Sequence, residues 1–422
     1  MQNSSCKMTI KGYHISENRL VFTLVSVFTL LQLIILIIFG YTPYPDSNGY
    51  ILLAKECLLY GEPYPAAATI HELPFIWNIA AINLVALSLK FFSSITPLLV
   101  LYSFMKGASA WLVYKITYRI FDNKTALLAL LIYICYPANY GESTSTLSEL
   151  PFIFFILSAI YLYQKNCSIT AGILLAIANS FRPMAFLFLI VLLIYDHKHI
   201  LRTVSSYVLI ILLIGSSTYI RTGRFIYQAK TGWMDMMLFS LNNINDEYPD
   251  PLYIENNDRL DCVQRDSVWR SRSIHLILKH PAGYIASMPY KLIKTFVSDN
   301  VNMCTFIPDK NTKTYMYNEI SMPTLYRSFP HYSAVQVLTL INLIYYYLLL
   351  ITSIYGCILL IRKQEHKKLI MPVSVVLIGS IVIITVCHGE ARYHIPFMPF
   401  IIMVAATAIR STPFFPFHSR QQ

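Results

Sequence analysis

The chain has 422 residues, of which 55% are hydrophobic and only 13% are charged, about half the charged fraction of an ordinary soluble protein. The apolar residues form long blocks, which excludes a disordered, collagenous or disulfide-stapled chain and argues against a soluble globular domain. The net charge of +11 is typical of basic cytoplasmic loops that face anionic lipid, so we expect no nucleic-acid partner. The composition predicts an all-α polytopic membrane protein.

Long apolar blocks predict the membrane segments in chain order. They are 20–40, 74–94, 95–118, 125–141, 146–163, 168–195, 201–220, 331–361, 369–388 and 393–409. The polar stretch 221–330 predicts a folded extracytoplasmic domain of mixed structure. The chain thus divides into an N-terminal transmembrane module (1–220, with a first extracytoplasmic loop at 41–94), this domain, and C-terminal transmembrane helices (331–422).

Clusters of Lys and Arg predict the topology, because such clusters stay on the cytoplasmic side. They lie at Lys7–Arg19, Lys115–Lys124, Lys165, Lys198–Arg202, Arg362–Lys368 and Arg410–Arg420. Placing all of them inside requires one of the blocks 74–94 and 95–118 to lie in the interface. We assign 74–94 to it, because this block starts with Pro74 and contains Trp77, Asn78 and Asn83. The same placement also requires 168–195 to form a hairpin that turns near Arg182 and Pro183. The result is about ten spans with both termini cytoplasmic.

The positions of the acidic residues agree with this topology, although they were not used to derive it. Outside 221–330, the acids predicted at the outer face are Asp46, Glu56, Glu62, Glu72, Glu142, Glu149 and Glu390. Carboxylates at membrane depth are costly and tend to line functional cavities. The alternative is that loop acids are simply solvated, which we favour for Glu56 and Glu62.

Basic residues are few at the same face, and two of them lie at the outer ends of predicted helices. Arg182 precedes Pro183, and Arg392 precedes Tyr393 and His394. Guanidinium groups bind phosphate through paired hydrogen bonds, which favours a phosphate site; the alternative is an Arg that reaches the headgroups. Lys106 falls within a predicted span and has no assigned role.

Several different short motifs follow one another in order along nearly the whole chain. They are Tyr44-Pro-Asp46-Ser-Asn-Gly-Tyr50, Gly61-Glu-Pro-Tyr64, His71-Glu72-Leu-Pro74-Phe-Ile-Trp77, Ser148-Glu149-Leu-Pro, Arg182-Pro183, Lys279-His-Pro281 and Glu390-Ala-Arg392-Tyr393-His394. This order resembles the GT-C superfamily of integral-membrane glycosyltransferases. The similarity is greatest to the branch of the bacterial lipid A aminoarabinose transferase and the protein O-mannosyltransferases. That branch often has an acid-Lys-Pro-Pro segment, which here reads His71-Glu72-Leu-Pro74.

The resemblance implies a GT-C-like fold and an inverting sugar transfer at the extracytoplasmic face of a cell membrane, in a bacterium the inner membrane. The donor would be a polyprenyl-phosphate-linked sugar and the acceptor a lipid, glycan or protein. Asp46 would be the general base or act through a divalent metal ion, which the sequence neither requires nor excludes. Glu149 or Glu142 would be the second acid, with Glu149 favoured.

The remaining roles also rest on the resemblance. Arg182, Arg392, Tyr393 and His394 would hold the donor phosphate. The acceptor and the groove near segment 74–94 would involve Tyr50, Tyr64, His71, Glu72 and Trp77. We expect Asp46 to lie within about 15 Å of Arg392. A transporter or flippase of lipid-linked sugars and a glycan polymerase or ligase remain the alternatives.

Overall fold

A computed structural model describes residues 7–10, 13–255, 257–308 and 316–411. Parts of the basic clusters at Lys7–Arg19 and Arg410–Arg420 lie outside these residues. A two-stranded antiparallel hairpin of β1 (Lys7–Ile10) and β2 (Tyr13–Ser16) precedes the first helix. The rest of the regular structure in the described ranges is helical, which confirms the predicted all-α class.

The helices of the first half include one that the sequence did not predict, in the first loop. In order they are α1 (Glu17–Phe39), α2 (Pro45–Tyr60), α3 (Ile79–Phe92), α4 (Thr96–Ile120), α5 (Asn123–Cys135), α6 (Glu149–Gln164), α7 (Ser168–Phe181), α8 (Phe186–Tyr195) and α9 (Ile200–Thr222). Pro45 occupies the first turn of α2, where its missing N–H costs nothing, and Gly61 ends that helix in the left-handed conformation.

The second half of the described chain contains eight further helices. They are α10 (Gly232–Asp235), α11 (Cys262–Lys279), α12 (Pro281–Phe296), α13 (Met316–Glu319), α14 (Met322–Arg327), α15 (Ala334–Arg362), α16 (Ile370–Val386) and α17 (Met398–Arg410). Short 3-10 segments connect several of them, and the one at Ala391–Phe397 leads directly into α17. Almost every residue of α17 is buried, and this helix packs against α5, α15 and α16.

One end of the bundle, the basic end, gathers the helix termini that the sequence predicts to be cytoplasmic. The Tyr114 hydroxyl, late in α4, donates to Glu17 at the start of α1 (2.8 Å) and to Asn123 at the start of α5 (3.1 Å). Arg410, the last residue of α17, pairs with Asp122. At the basic end, α1 and α5 therefore start and α4 and α17 end, as the charge pattern predicts.

The opposite end, the acidic end, carries the residues after α1, before α6 and before α17. Helices α7 and α8 form the predicted hairpin there, because α7 ends at Phe181 and α8 starts at Phe186 beyond Pro183. Helix α3 occupies the block predicted to be interfacial. It has 14 residues, about 21 Å, which is shorter than the hydrocarbon core of a bilayer.

Several helices are long and apolar enough to cross a membrane, so the predicted membrane class is supported. Within the described residues, four segments reach that length: α1, His197–Thr222 (which contains α9), α15, and Ala391–Arg410 (which contains α17). The pair Pro137–Thr144 and Glu149–Gln164, bent by 111°, would make a fifth. Ten spans are therefore not confirmed, since the other apolar helices of 10 to 17 residues are short.

The predicted mixed structure of 221–330 is wrong for the part of that domain which is described. It contains helices α10–α14 and irregular segments, and its β contact is a single bridge between Lys230 and Ile76. A small core around Trp269 and Met237 fixes α11 against the segment that follows α10. The short hydrophobic runs of this region belong to amphipathic helices, whose apolar residues are too few per turn to stand out in the sequence.

Candidate functional site

The acidic end brings Asp46 into direct contact with Arg392, although 346 residues separate them. Asp46 lies in the first turn of α2, where the helix dipole favours a carboxylate. Arg392 lies in the 3-10 segment that leads into α17, and its Nη1 pairs with Oδ2 of Asp46. The predicted proximity of these two residues is confirmed. Both side chains are partly exposed, at 26% for Asp46 and 18% for Arg392, so the pair is accessible from outside.

Glu149 and Arg182 extend this pair into a four-residue cluster. Nη2 of Arg182 donates to Oε1 of Glu149 at 2.7 Å, and Nη1 of Arg392 lies 3.9 Å from the same oxygen. Glu149 is almost fully buried, at 2% exposure, and charged groups at such depth are costly unless paired. Of the two candidates for the second acid, Glu149 is therefore the one that joins Asp46.

Glu390 completes the set of carboxylates around Arg392. The Arg392 Nε donates to Glu390 Oε2 at 2.9 Å, and His388 Nε2 lies 3.8 Å from the same oxygen. Burial would raise the pKa of Glu390, but Arg392 and His388 outweigh it and hold this pKa at about 2. Gly389 adopts a positive φ of 74°, and a Cβ there would meet the backbone oxygen of Lys291 at 2.4 Å. The loop therefore needs glycine to pack this closely on α12.

Tyr393 and the first-loop residues line the sides of the cluster. The Arg182 guanidinium lies 5.8 Å from the centre of the Tyr393 ring. The Asn78 amide donates to the Tyr50 hydroxyl at 2.7 Å and to the Ser148 hydroxyl at 3.1 Å. Trp77 packs edge-on against Tyr50 with ring centres 5.5 Å apart. These contacts connect α2, α3 and α6 immediately beside Glu149.

Three residues assigned to the groove differ in their surroundings from Tyr50 and Trp77. Tyr64 is buried, at 1% exposure. Its hydroxyl accepts a hydrogen bond from the backbone N–H of Trp77 at 2.9 Å and so helps to fix the position of that residue. His71 and Glu72 are exposed on a turn ahead of α3. Their exposure gives no support for a role in a groove.

The expectation that His394 binds the donor phosphate is not supported, because this side chain faces the bundle interior. Its Nδ1 lies 2.8 Å from the backbone oxygen of Thr295 and its Nε2 lies 3.2 Å from Asp299. Asp299 in turn accepts from the Tyr136 hydroxyl. Residues 391–397 form a 3-10 helix with about three residues per turn, so Arg392 and His394 point to different sides.

Glu142 is likewise separate from the Asp46–Arg392 cluster, so the geometry gives no support for it as the second acid. It forms a buried ion pair with Lys106 from the middle of α4, and both side chains are at most 5% exposed. The Lys106 ammonium also donates to the Asn139 side chain at 2.8 Å. The single sequence could not pair them, because it does not show that α4 packs against the 142–144 turn.

Asp235 was not predicted and lies near the cluster from the side of the 221–330 domain. Burial, together with the carboxylates of Asp46 and Glu390, raises its pKa to about 6, although His388 and Arg392 oppose the shift. The adjacent Phe239 ring packs 4.8 Å from His388. Only the position of Asp235 in a run of apolar residues could have marked it in the sequence.

We expect the Asp235→Asn variant to have a higher Tm than the wild type at neutral pH. The pKa of Asp235 is about 6 when folded and 3.8 without the protein environment. As pH rises between these values, the Asp235 carboxyl loses its proton in the unfolded chain but keeps it in the folded protein. The free energy of unfolding of the wild type therefore falls as pH rises. Thermal unfolding at pH 7.5 and at about pH 4 measures the difference, which should vanish at the lower pH. Asp258→Asn, at an exposed position of the same domain, is the control, and an equal gain at both pH values would contradict the assignment.

A divalent metal ion was left open by the sequence. In the described ranges, no group of three or more His, Cys, Asp or Glu side chains is arranged to hold one. The carboxylates around Arg392 are instead engaged by guanidinium groups. We therefore assign no residue to a metal.

No protein-family model matches the chain. A search of curated proteins finds no match either.

Proposed function

We propose that this protein is a membrane glycosyltransferase of the GT-C type. It would transfer a sugar from a polyprenyl-phosphate donor to an acceptor at the extracytoplasmic face. The contact between Asp46 and Arg392 carries the proposal, because it joins an acid suited to deprotonate an acceptor with a cation suited to bind phosphate. In this proposal the acidic end faces outward, the basic end faces the cytoplasm, and about ten helices cross the bilayer. In a bacterium this would be the inner membrane.

The chemistry needs a base for the acceptor and a stabilised leaving group. Asp46 takes the proton of the acceptor hydroxyl while the acceptor oxygen forms a bond to the anomeric carbon. The bond from that carbon to the phosphate oxygen breaks, and the prenyl phosphate leaves with the electron pair. Arg392 and Arg182 stabilise the negative charge on the leaving phosphate, as preorganised cations do in other transferases.

The resting cluster contains three carboxylates and two guanidinium groups, so it has an excess of one negative charge. Asp46, Glu149 and Glu390 engage Arg392, and Glu149 also engages Arg182. In this mechanism the donor phosphate displaces Asp46 from Arg392. The displaced carboxylate is then free to accept the proton of the acceptor. Glu149 stays buried and holds the two arginines in position.

Transfer by the purified protein in lipid nanodiscs tests the proposal. We expect labelled polyprenyl-phosphate sugar and total membrane lipid or glycan to give labelled product and free prenyl phosphate in equal amounts. In sealed proteoliposomes, movement of the donor across the bilayer without release of prenyl phosphate would favour a transporter. If neither labelled product nor free prenyl phosphate appears with any acceptor class, the proposed glycosyltransferase activity is refuted.

A further inference from the structure

The ion pair of Asp46 and Arg392 cannot by itself keep these two residues in place during the proposed reaction. In that mechanism the donor phosphate displaces Asp46 from Arg392, so their contact is broken when the base has to act. A group that shifts by about 1 Å can lose on the order of 100-fold in rate. The mechanism therefore needs a second connection between α2 and the segment before α17, made by groups that do not react.

A buried segment at residues 299–305 lies behind the pair and contacts both sides of it. The segment follows α12 and contains most of the 3-10 helix Val301–Phe306. All seven of its residues are buried. The backbone before α6 approaches it so closely that a Cβ at Gly141 would lie 2.0 Å from the backbone oxygen of Asn302. This part of the 221–330 domain is therefore packed into the helix bundle.

Asp299 holds the segment that carries Arg392. His394, two residues after Arg392, is fully buried, and its Nε2 lies 3.2 Å from Oδ1 of Asp299. The Nδ1 of His394 lies 2.8 Å from the backbone oxygen of Thr295, which can only accept, so Nδ1 donates. The imidazole thus fixes the 3-10 turn of Arg392 at two points, one in α12 and one just after it.

The bundle in turn fixes the side chain of Asp299. Its Oδ2 accepts from the Tyr136 hydroxyl, just after α5, and from the side-chain amide of Asn342 in α15 at 3.2 Å. The side-chain oxygen of Asn342 accepts from the backbone N–H of Ala138 at 2.9 Å. A buried polar network whose members are satisfied specifies one arrangement of the elements around it. The position of Arg392 therefore depends on Asp299.

The same segment also holds the beginning of α2. Tyr44, two residues before Asp46, is buried, and its hydroxyl donates to the backbone oxygen of Val301 at 2.9 Å. Thr42 lies two residues further back, and its hydroxyl donates to that of Thr305 at 3.3 Å. Both hydrogen bonds lie in the protein interior, so they persist when a substrate separates Asp46 from Arg392.

From these contacts we infer that Asp299 is a positioning residue, which keeps the base and the phosphate-binding arginine in register while their ion pair is open. Asp299 and Val301 are two residues apart, so at most about 7 Å of backbone joins the anchor of Arg392 to that of Asp46. The inference rests on the proposed function. It adds a residue that touches neither donor nor acceptor and acts through its neighbours.

Substitutions at Asp299 test this role in lipid nanodiscs. Asp299→Leu should raise the KM for the donor about tenfold, because Arg392 leaves the position at which it binds the phosphate. Asp299→Asn should restore a KM close to the wild-type value, since its oxygen can accept from Tyr136 and its amide can donate to Nε2 of a neutral His394. His394→Phe breaks the same link from the other side and carries the test if Asp299→Leu does not fold.

Tyr44→Phe tests the link to the base. Loss of the hydrogen bond to Val301 should lower kcat on the order of 10- to 100-fold and leave the KM for the donor unchanged, because the anchor of Arg392 is intact. Tyr163→Phe is the matched control, since the Tyr163 hydroxyl also donates to a backbone oxygen, at the basic end. It should change neither constant. Rates are normalised to the number of sites that bind prenyl phosphate, so an unfolded fraction does not count as lost kcat.

Binding of prenyl phosphate without turnover separates this inference from the proposed function. Its Kd should rise about tenfold in Asp299→Leu and His394→Phe but not in Asp299→Asn. Wild-type KM and Kd in either folded apolar variant would overturn the inference, as would an unchanged kcat in Tyr44→Phe. An Asp299→Asn variant as impaired as Asp299→Leu would also overturn it, because the charge rather than the position would then matter. A wild type that binds prenyl phosphate without transferring sugar would refute only the proposed function, and one that does not bind it would refute both.

Discussion

The Asp46→Asn variant is expected to lose sugar transfer by roughly 10²- to 10⁴-fold in kcat, the usual contribution of a general base. An amide cannot accept the proton of the acceptor hydroxyl. It still offers an oxygen to Arg392, so the contact between α2 and the segment before α17 is retained. The measurement is single-turnover release of prenyl phosphate with saturating acceptor.

The same variant distinguishes a base from a structural ion pair. If the donor phosphate displaces Asp46 from Arg392, a neutral side chain should leave the KM for the donor unchanged or lower it. Glu56→Gln is the matched control, since Glu56 lies on the same helix about 15 Å further along. If the Asp46→Asn variant keeps the wild-type kcat, Asp46 is not the general base. A loss of activity that tracks a lower Tm would assign Asp46 a structural role instead.

A second large effect is expected in stability, at the buried pair of Lys106 and Glu142. Lys106→Met should lower the free energy of unfolding by about 3–5 kcal/mol, because it leaves the Glu142 carboxylate buried without its partner. The Lys106→Met/Glu142→Leu double variant should recover most of this loss, since apolar pairs of similar volume often replace buried ion pairs without cost. Thermal and denaturant unfolding in detergent measure both variants.

The control for this pair is Lys363→Met, at an exposed position beyond α15, which should change stability little. A double variant as unstable as Lys106→Met alone would show that the charges themselves are needed. Glycosyl transfer by the folded double variant should stay close to the wild type, because the pair lies apart from Asp46 and Arg392. A selective loss of transfer would return Glu142 to the list of catalytic residues.

The charge pattern correctly predicted that four of the candidate residues lie at the same end of the bundle. Parity of the basic clusters placed Asp46, Glu149, Arg182 and Arg392 at one end, and the structure brings these four into one cluster. The hairpin at Pro183 followed from the same argument. Such predictions succeed because the cost of burying charge restricts where Lys and Arg can lie along an apolar chain.

Three differences between the sequence-based expectations and the structure have separate physical origins. Glu142 was a candidate because its partner Lys106 is on another helix, and no sequence pattern pairs them. His394 was assigned by its closeness in sequence to Arg392, but the 3-10 geometry turns it toward Asp299. Helix α2 was missed because its mixed composition has no long apolar block.

The pairing of Asp46 with Arg392 also bears on the stage of folding at which the proposed site forms. Asp46 follows α1 in the described chain, whereas Arg392 lies 346 residues later, just before α17. Until α17 has inserted beside α5 and α15, the arginine is absent from its place and Asp46 stands alone. On the proposed function, chains in which α17 has not yet inserted would therefore be inactive, even where the earlier helices already lie in the membrane.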